Sequence, residues 1–135
     1  MTEAGTSGTP LRKKLGVAPG QSTWRLAMPE AVADAIDSDD PPVLLAEPVA
    51  GLASAHLFVT ERAVLGVQLV RLRPLLAAKG MVWVSWPKKA AKVPTDVTED
   101  VIRDLALPLG FVDVKVCAVD AVWSGLKLVI RRSER

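Results

Sequence analysis

The run Met81 to Trp86 (MVWVSW) is apolar almost throughout and stops at Pro87, where a loop carrying Lys88, Lys89 and Lys92 begins. A strand with one wet face alternates polar and apolar residues. A strand without that alternation needs cover on both faces, which a parallel sheet between two layers of helices supplies. A polar loop at the carboxyl end of such a strand is where open α/β sheets place their ligands. At 135 residues the chain has the length of one domain with an ordinary core. It is read as a disordered, small and polar tail at 1–10 followed by a single domain at 11–135.

Upstream of that strand, Leu11 to Leu15 reads as a helical turn and Pro19-Gly20 as the corner of a type II turn. Ser22 to Met28 is the expected first strand, and Pro29 the first residue of a helix with Ala31, Val32, Ala35 and Ile36 on one face. Val43 to Ala46 and His56 to Thr60 are short apolar runs suited to buried strands, with EPVAGLASA as a loop between them. Glu61 to Leu72 is a helix, with Leu65, Leu69, Leu72 and Leu76 at helical spacing. Pro74 should kink or restart it, and Lys79-Gly80 should end it. Downstream, Asp96 with Glu99 resembles a capping box, ahead of a helix burying Val97, Val101, Ile102, Leu105 and Ala106. Phe111 to Val119 alternates, with Val112, Val114, Val116 and Ala118 on one face. Asp113, Lys115 and Cys117 fall on the other face. No helix fits between this run and Leu126 to Arg131, so the two are antiparallel neighbours.

Composition narrows the setting. Half the residues are hydrophobic, far above the level of disordered chains. The single cysteine, Cys117, points to a reducing compartment and leaves no internal disulfide. The N-terminus has no apolar signal core, and Val43 to Val59 is broken by Glu47 and Pro48, so a cytoplasmic protein without a membrane span is expected. A formal charge of +2 does not argue for nucleic acid. Residues 28–60 are acidic, with Glu30, Asp34, Asp37, Asp39, Asp40 and Glu47 and no lysine or arginine.

From His56 onward the order strand, helix, strand, helix, antiparallel pair resembles the second half of the class I, S-adenosylmethionine-dependent methyltransferase fold. The runs WVSWPKKA, TDVTEDVIRDLALPLGFVDVKVCAVD and VWSGLKLVIRR are also similar to a bacterial, mainly actinobacterial family, the domain of unknown function three-zero-five-two. That similarity covers roughly 11–132 and is densest over 81–132. It implies a Rossmann-like fold in a cytoplasmic bacterial protein, and brings no activity or site residue with it. The expected sheet has about six strands in the order 2-1-3-4-6-5, with the last strand antiparallel and helices on both faces. Against the methyltransferase pattern, the glycine-rich cofactor turn is missing: RLAMPEAV stands in its place, with no glycine between Gly20 and Gly51. Met28 and Pro29 would fill the cofactor's space, so no cofactor is expected. Glu47 stands where such folds carry a ribose-binding acid.

The candidate binding residues are Trp86, Lys88, Lys89, Lys92, Thr95 and Trp123. The lysines and the helix start near Asp96 would meet an anion, and the two tryptophans would stack on a ring. Trp83 is assigned to the core. His56, the only histidine, lacks companions at ligand spacing, so no metal is expected and an internal hydrogen bond is. Cys117 is read as a buried, inert thiol. Asp113, Asp120 and Ser124 form no recognisable nucleophile arrangement. Without a general acid–base pair, a non-catalytic binding or regulatory module ranks first, holding an anionic small molecule or an acidic protein partner. The alternatives are a methyltransferase-like enzyme with an atypical cofactor loop and a nucleic-acid-associated protein. The outer face of the fifth strand (Asp113, Lys115) lies at an expected sheet edge, where a second copy can pair into a homo-oligomer.

Overall fold

Six strands hydrogen-bond side by side in the order β2-β1-β3-β4-β6-β5, in a computed structural model that describes residues 10–135 apart from Asp39. The elements run α1 (Leu11–Leu15), β1 (Ser22–Leu26), α2 (Glu30–Asp37), β2 (Val43–Leu44), β3 (Leu52–Phe58), α3 (Arg62–Leu72), β4 (Leu76–Pro87), α4 (Glu99–Ala106), β5 (Phe111–Ala118) and β6 (Trp123–Ile130). β1 to β4 are mutually parallel, and β6 is antiparallel to both β4 and β5. The Rossmann-like order expected from the sequence is the order observed. The tail expected at 1–10 lies outside the described residues except for Pro10, which precedes α1.

Both faces of the sheet are covered, as the unalternating β4 requires. On one face α3 and α4 bury Leu65, Leu69, Leu72, Ile102 and Ala106 against Leu57, Val84, Phe111 and Leu128. On the other, α1 and α2 bring Leu11, Leu15, Val32 and Ile36 onto Phe58, Met81 and Trp83. Trp83 is 1% exposed and donates its indole N–H to the Leu15 carbonyl at 2.8 Å. It thereby ties α1 to the middle of the sheet.

Four local readings need correction, besides β2, which is two exposed edge residues, Val43 and Leu44, where a buried strand over Val43 to Ala46 was expected. β3 begins at Leu52, not His56, so Leu52 to Ala55, the last four residues of the expected loop EPVAGLASA, are strand. Ala53, Ser54 and Ala55 have weak strand preference, yet β1 and β4 pair with them from either side, and neighbours outweigh propensity in a central strand. α3 ends at Leu72, and Leu76 opens β4 in place of extending the helix. Pro74 cannot donate a helical N–H, and the Leu75 carbonyl accepts from the backbone of Gly51 and Leu52 instead. Between Leu76 and Met81 the register slips by several residues. Gly80 sits in that slip because a Cβ there would lie 2.8 Å from Leu76 Cγ. The third correction is the cap of α4, which is Thr98 and not Asp96: its hydroxyl accepts from Val101 N at 3.2 Å. Finally, β5 slips by one residue between Asp113 and Lys115. The bulge puts Asp113 with Val116 and Ala118 on one face and Val112 with Lys115 and Cys117 on the other.

Candidate functional site

β4 ends in a short, firmly held segment. Lys88 N donates to Val122 O, and Lys88 Nζ donates to Asp120 O, both at 2.7 Å. Asp120 in turn accepts from Val122 N and Trp123 N through Oδ1, each at 2.8 Å. A 3-10 turn over Lys89–Ala91 follows, closed by Lys92 in the left-handed region at φ +55°. The chain then crosses over the end of β3. Thr95 Oγ1 donates to Thr60 O at 2.7 Å, Asp96 N donates to the same carbonyl at 3.2 Å, and Arg62 N donates to Asp96 Oδ1 at 2.6 Å. Asp96, displaced from the α4 cap, therefore serves the first turn of α3.

Between this segment and the start of α4 lies a cleft of about 600 Å³. Trp86, Val93 and Val97 supply apolar wall, while Lys88, Lys89 and Thr98 bring polar groups to it. Glu99 also lines it, and its carboxylate is paired with Arg103, which holds Asp113 at 3.0 Å as well. Of the six candidate residues, Trp86, Lys88, Lys89 and Thr95 line the cleft. Lys92 is not among its lining residues. Trp123 is on the opposite face: Pro87 pairs with Trp123 and Trp86 with Ser124, and alternation along a strand separates the two rings. Trp123 packs edge-on against Phe58 at 5.0 Å. Two of the four lining residues have prior engagements, Lys88 with Asp120 O and Thr95 with Thr60 O, so Lys89 is the exposed cation with no such contact.

The cleft lies at the carboxyl end of β4, as the sequence suggests, but open α/β sheets hold their ligands at the topological switch point, and the strand order puts that switch between β1 and β3. The space there is about 190 Å³, lined by Leu26, Ala27, Phe58, Thr60, Glu61 and Val64. Pockets that enclose a cofactor-sized molecule run from roughly 300 Å³ upward. Ala27 occupies the glycine's place in the turn with φ +56°, and Met28 packs into the α1–α2 side of the core. Glu47, in the ribose-acid position, bonds Arg71 at 3.0 Å, and the Arg71 guanidinium lies 5.3 Å from the Trp24 ring. These residues do not fit S-adenosylmethionine as a methyltransferase holds it. An Ala side chain in the left-handed region costs about 1–2 kcal/mol, against about 0.5–1 kcal/mol for the added freedom of glycine. Ala27→Gly should therefore raise the urea midpoint slightly, and a lowered midpoint would show the turn to be unstrained.

His56 lies mid-strand in β3, fully buried, with Nε2 and Ser85 Oγ 2.7 Å apart. Burial, assisted by the nearby Arg25 charge, lowers its pKa from 6.5 to about 3. Half-burial pushes the Cys117 thiol up, against the opposing pull of Lys14 and Lys115, so the thiolate is disfavoured. Among the described residues no cluster of three or more His, Cys, Asp or Glu side chains is placed to hold a metal. No helix among them is long and apolar enough to cross a membrane. Every ion pair found among the described residues uses arginine as its cation: Arg25, Arg71, Arg73, Arg103 and Arg131. The lysines with side-chain bonds, Lys14, Lys88 and Lys115, donate to backbone carbonyls.

Among solved structures the chain resembles methyltransferases. An S-adenosylmethionine-dependent methyltransferase from Aquifex aeolicus superposes with TM-score 0.61 at 12% identity, over 87% of this chain and 86% of that one. The Bacillus subtilis m1A22 tRNA methyltransferase TrmK gives 0.57 at 9% identity, over 95% and 68%. A TehB-like methyltransferase from Corynebacterium glutamicum gives 0.54 at 8% identity, over 94% and 90%. The chain thus has the Rossmann-like fold of the class I methyltransferases, and identities this low establish the fold alone. No protein-family model matches the chain, and no curated protein does.

Proposed function

We propose that this chain is a non-catalytic binding or regulatory module built on the methyltransferase-like fold, with its ligand in the β4 cleft. The observation that supports it is where the space lies. The switch point, where the fold's cofactor would sit, holds about 190 Å³, and the cleft beside Lys88 and Lys89 holds about 600 Å³. The ligand fitting that cleft is a small amphipathic anion. Its ring or alkyl part lies on Trp86 and Val93, and its carboxylate or phosphate reaches Lys89. An acidic protein partner would use the same lysines without filling the cleft. Membership of the domain of unknown function three-zero-five-two family, and a cytoplasmic bacterial setting, belong to the same reading.

Thermal unfolding with a panel of nucleosides and their mono- and diphosphates tests this. A phosphorylated probe at tenfold its Kd should add about 1.4 kcal/mol, roughly a 5 °C rise for a domain of this size. Lys89→Ala should shrink the rise. No shift with any anion removes the small-molecule form and leaves the acidic partner. Calorimetric binding of S-adenosylmethionine would instead support the enzyme with an atypical cofactor loop. A steep fall of oligonucleotide binding with salt would favour the nucleic-acid alternative.

A further inference from the structure

The last strand pair carries a like-charge contact that the fold does not require. Lys115 of β5 stands directly opposite Lys127 of β6, a cross-strand arrangement that costs stability. Lys127 is also opposite Trp83 of β4, so both lysines share the sheet face that α1 covers. The end of α1 adds a third ammonium there. Lys14 Nζ donates to Ala118 O at 3.0 Å, and Lys115 Nζ donates to Lys14 O at 2.8 Å. Lys127 Nζ lies 4.0 Å from where a Cβ on Gly16 would stand. The charges of Lys14 and Lys115 both reach the Cys117 thiol.

A bond to a carbonyl fixes where an ammonium sits, but it uses one of three N–H donors and leaves the charge whole. No carboxylate among the described residues pairs with any of the three lysines. Asp113 of β5 is turned to Arg103, and Asp120 Oδ1 accepts from Val122 N and Trp123 N. Asp37 of α2, the other helix on this face, is held by Arg25. We propose that Lys14, Lys115 and Lys127 form a second anion site, which takes a phosphate group. A compact dianion among them turns mutual repulsion into attraction, and ammonium groups, as point charges, accept it from any direction. The sheet separates this site from the β4 cleft: Trp86 faces the cleft, and Trp83, three residues earlier, faces α1.

Calorimetry and thermal unfolding of the full chain with inorganic pyrophosphate, against sodium chloride at matched ionic strength, give the test. At tenfold its Kd the probe should raise the Tm by about 5 °C. Lys127→Gln and Lys115→Gln should each weaken binding about tenfold. Lys127→Gln should also raise the Tm of the anion-free protein, because it relieves the repulsion. Lys89→Ala, across the sheet, should leave pyrophosphate binding unchanged. Vesicles of phosphatidylcholine with phosphatidate distinguish a lipid headgroup from a free phosphate. Sedimentation with them that is lost in Lys127→Gln assigns the phosphate to a headgroup, and pyrophosphate binding without it assigns a free one. Binding of neither probe overturns the proposal. So does binding that survives Lys127→Gln, or that Lys89→Ala abolishes. An oligonucleotide held through these lysines when neither phosphate probe binds would overturn it in favour of a nucleic-acid track.

Discussion

Acidification from pH 7 to pH 4 should remove about 3 kcal/mol of stability through His56 alone, at about 1.36 kcal/mol per pH unit below 6.5. The native imidazole is neutral down to about pH 3, whereas the unfolded chain takes up a proton near 6.5. Below 6.5 the unfolded state therefore binds more protons, and stability falls with pH. The loss is nil above 6.5, grows through the window, and levels off below about 3. Arg25, paired with His56 across β1 and β3, adds a positive charge that opposes protonation, and Asp37 of α2, which holds that guanidinium at 2.8 and 2.7 Å, offsets part of it. Phe58 stacks on the ring at 4.5 Å and adds to its burial. Urea midpoints at pH 7, 6, 5 and 4 give the slope. His56→Gln keeps a partner for Ser85 Oγ but cannot titrate, so its curve should be flatter by that amount. Parallel curves for the two proteins would mean that His56 does not carry the acid response.

Trp83→Ala should cost about 4 kcal/mol, within the range for deleting a buried tryptophan. The ring is 1% exposed in β4, beside Gly125, whose own Cβ would lie 3.2 Å from it. The variant also leaves the Leu15 carbonyl without its indole donor, so α1 should lose amide-exchange protection before the sheet does. Trp83→Phe separates the two contributions, because it keeps most of the packing and gives up one hydrogen bond, about 1 kcal/mol. A loss below about 1 kcal/mol for Trp83→Ala would show that the site collapses around the cavity.

The parts of this fold that were legible in the sequence are those set by burial pattern. The unalternating Met81 to Trp86 run announced a covered central strand, and the missing helix between Phe111 and Leu126 forced the antiparallel pair. The full order, with β6 inserted between β4 and β5, was implied by the resemblance to the class I methyltransferase fold rather than by these two facts. What could not be read was set by contacts from elsewhere in the chain. Ala53 and Ser54 become strand because β1 and β4 bracket them. Leu76 shares the helical spacing of Leu65 and Leu69, yet it leaves the helix when Pro74 breaks the backbone ladder. The site was half legible. The lysine loop lies beside a cleft as its place after β4 suggested. The hydroxyl of Thr95 and the amine of Lys88 were open positions on paper, but each already serves a backbone carbonyl. Trp123 and Trp86 sit close in the expected topology, and only the pairing register reveals that a sheet stands between them.

The division of labour between the two cationic side chains has a consequence for chemical modification. Every carboxylate found in an ion pair among the described residues is held by a guanidinium, and none by an ammonium. Acylating enzymes and reagents act on amines and spare arginine. An acetyl group on Lys89 would erase positive potential at the mouth of the β4 cleft while every carboxylate clasp stayed shut.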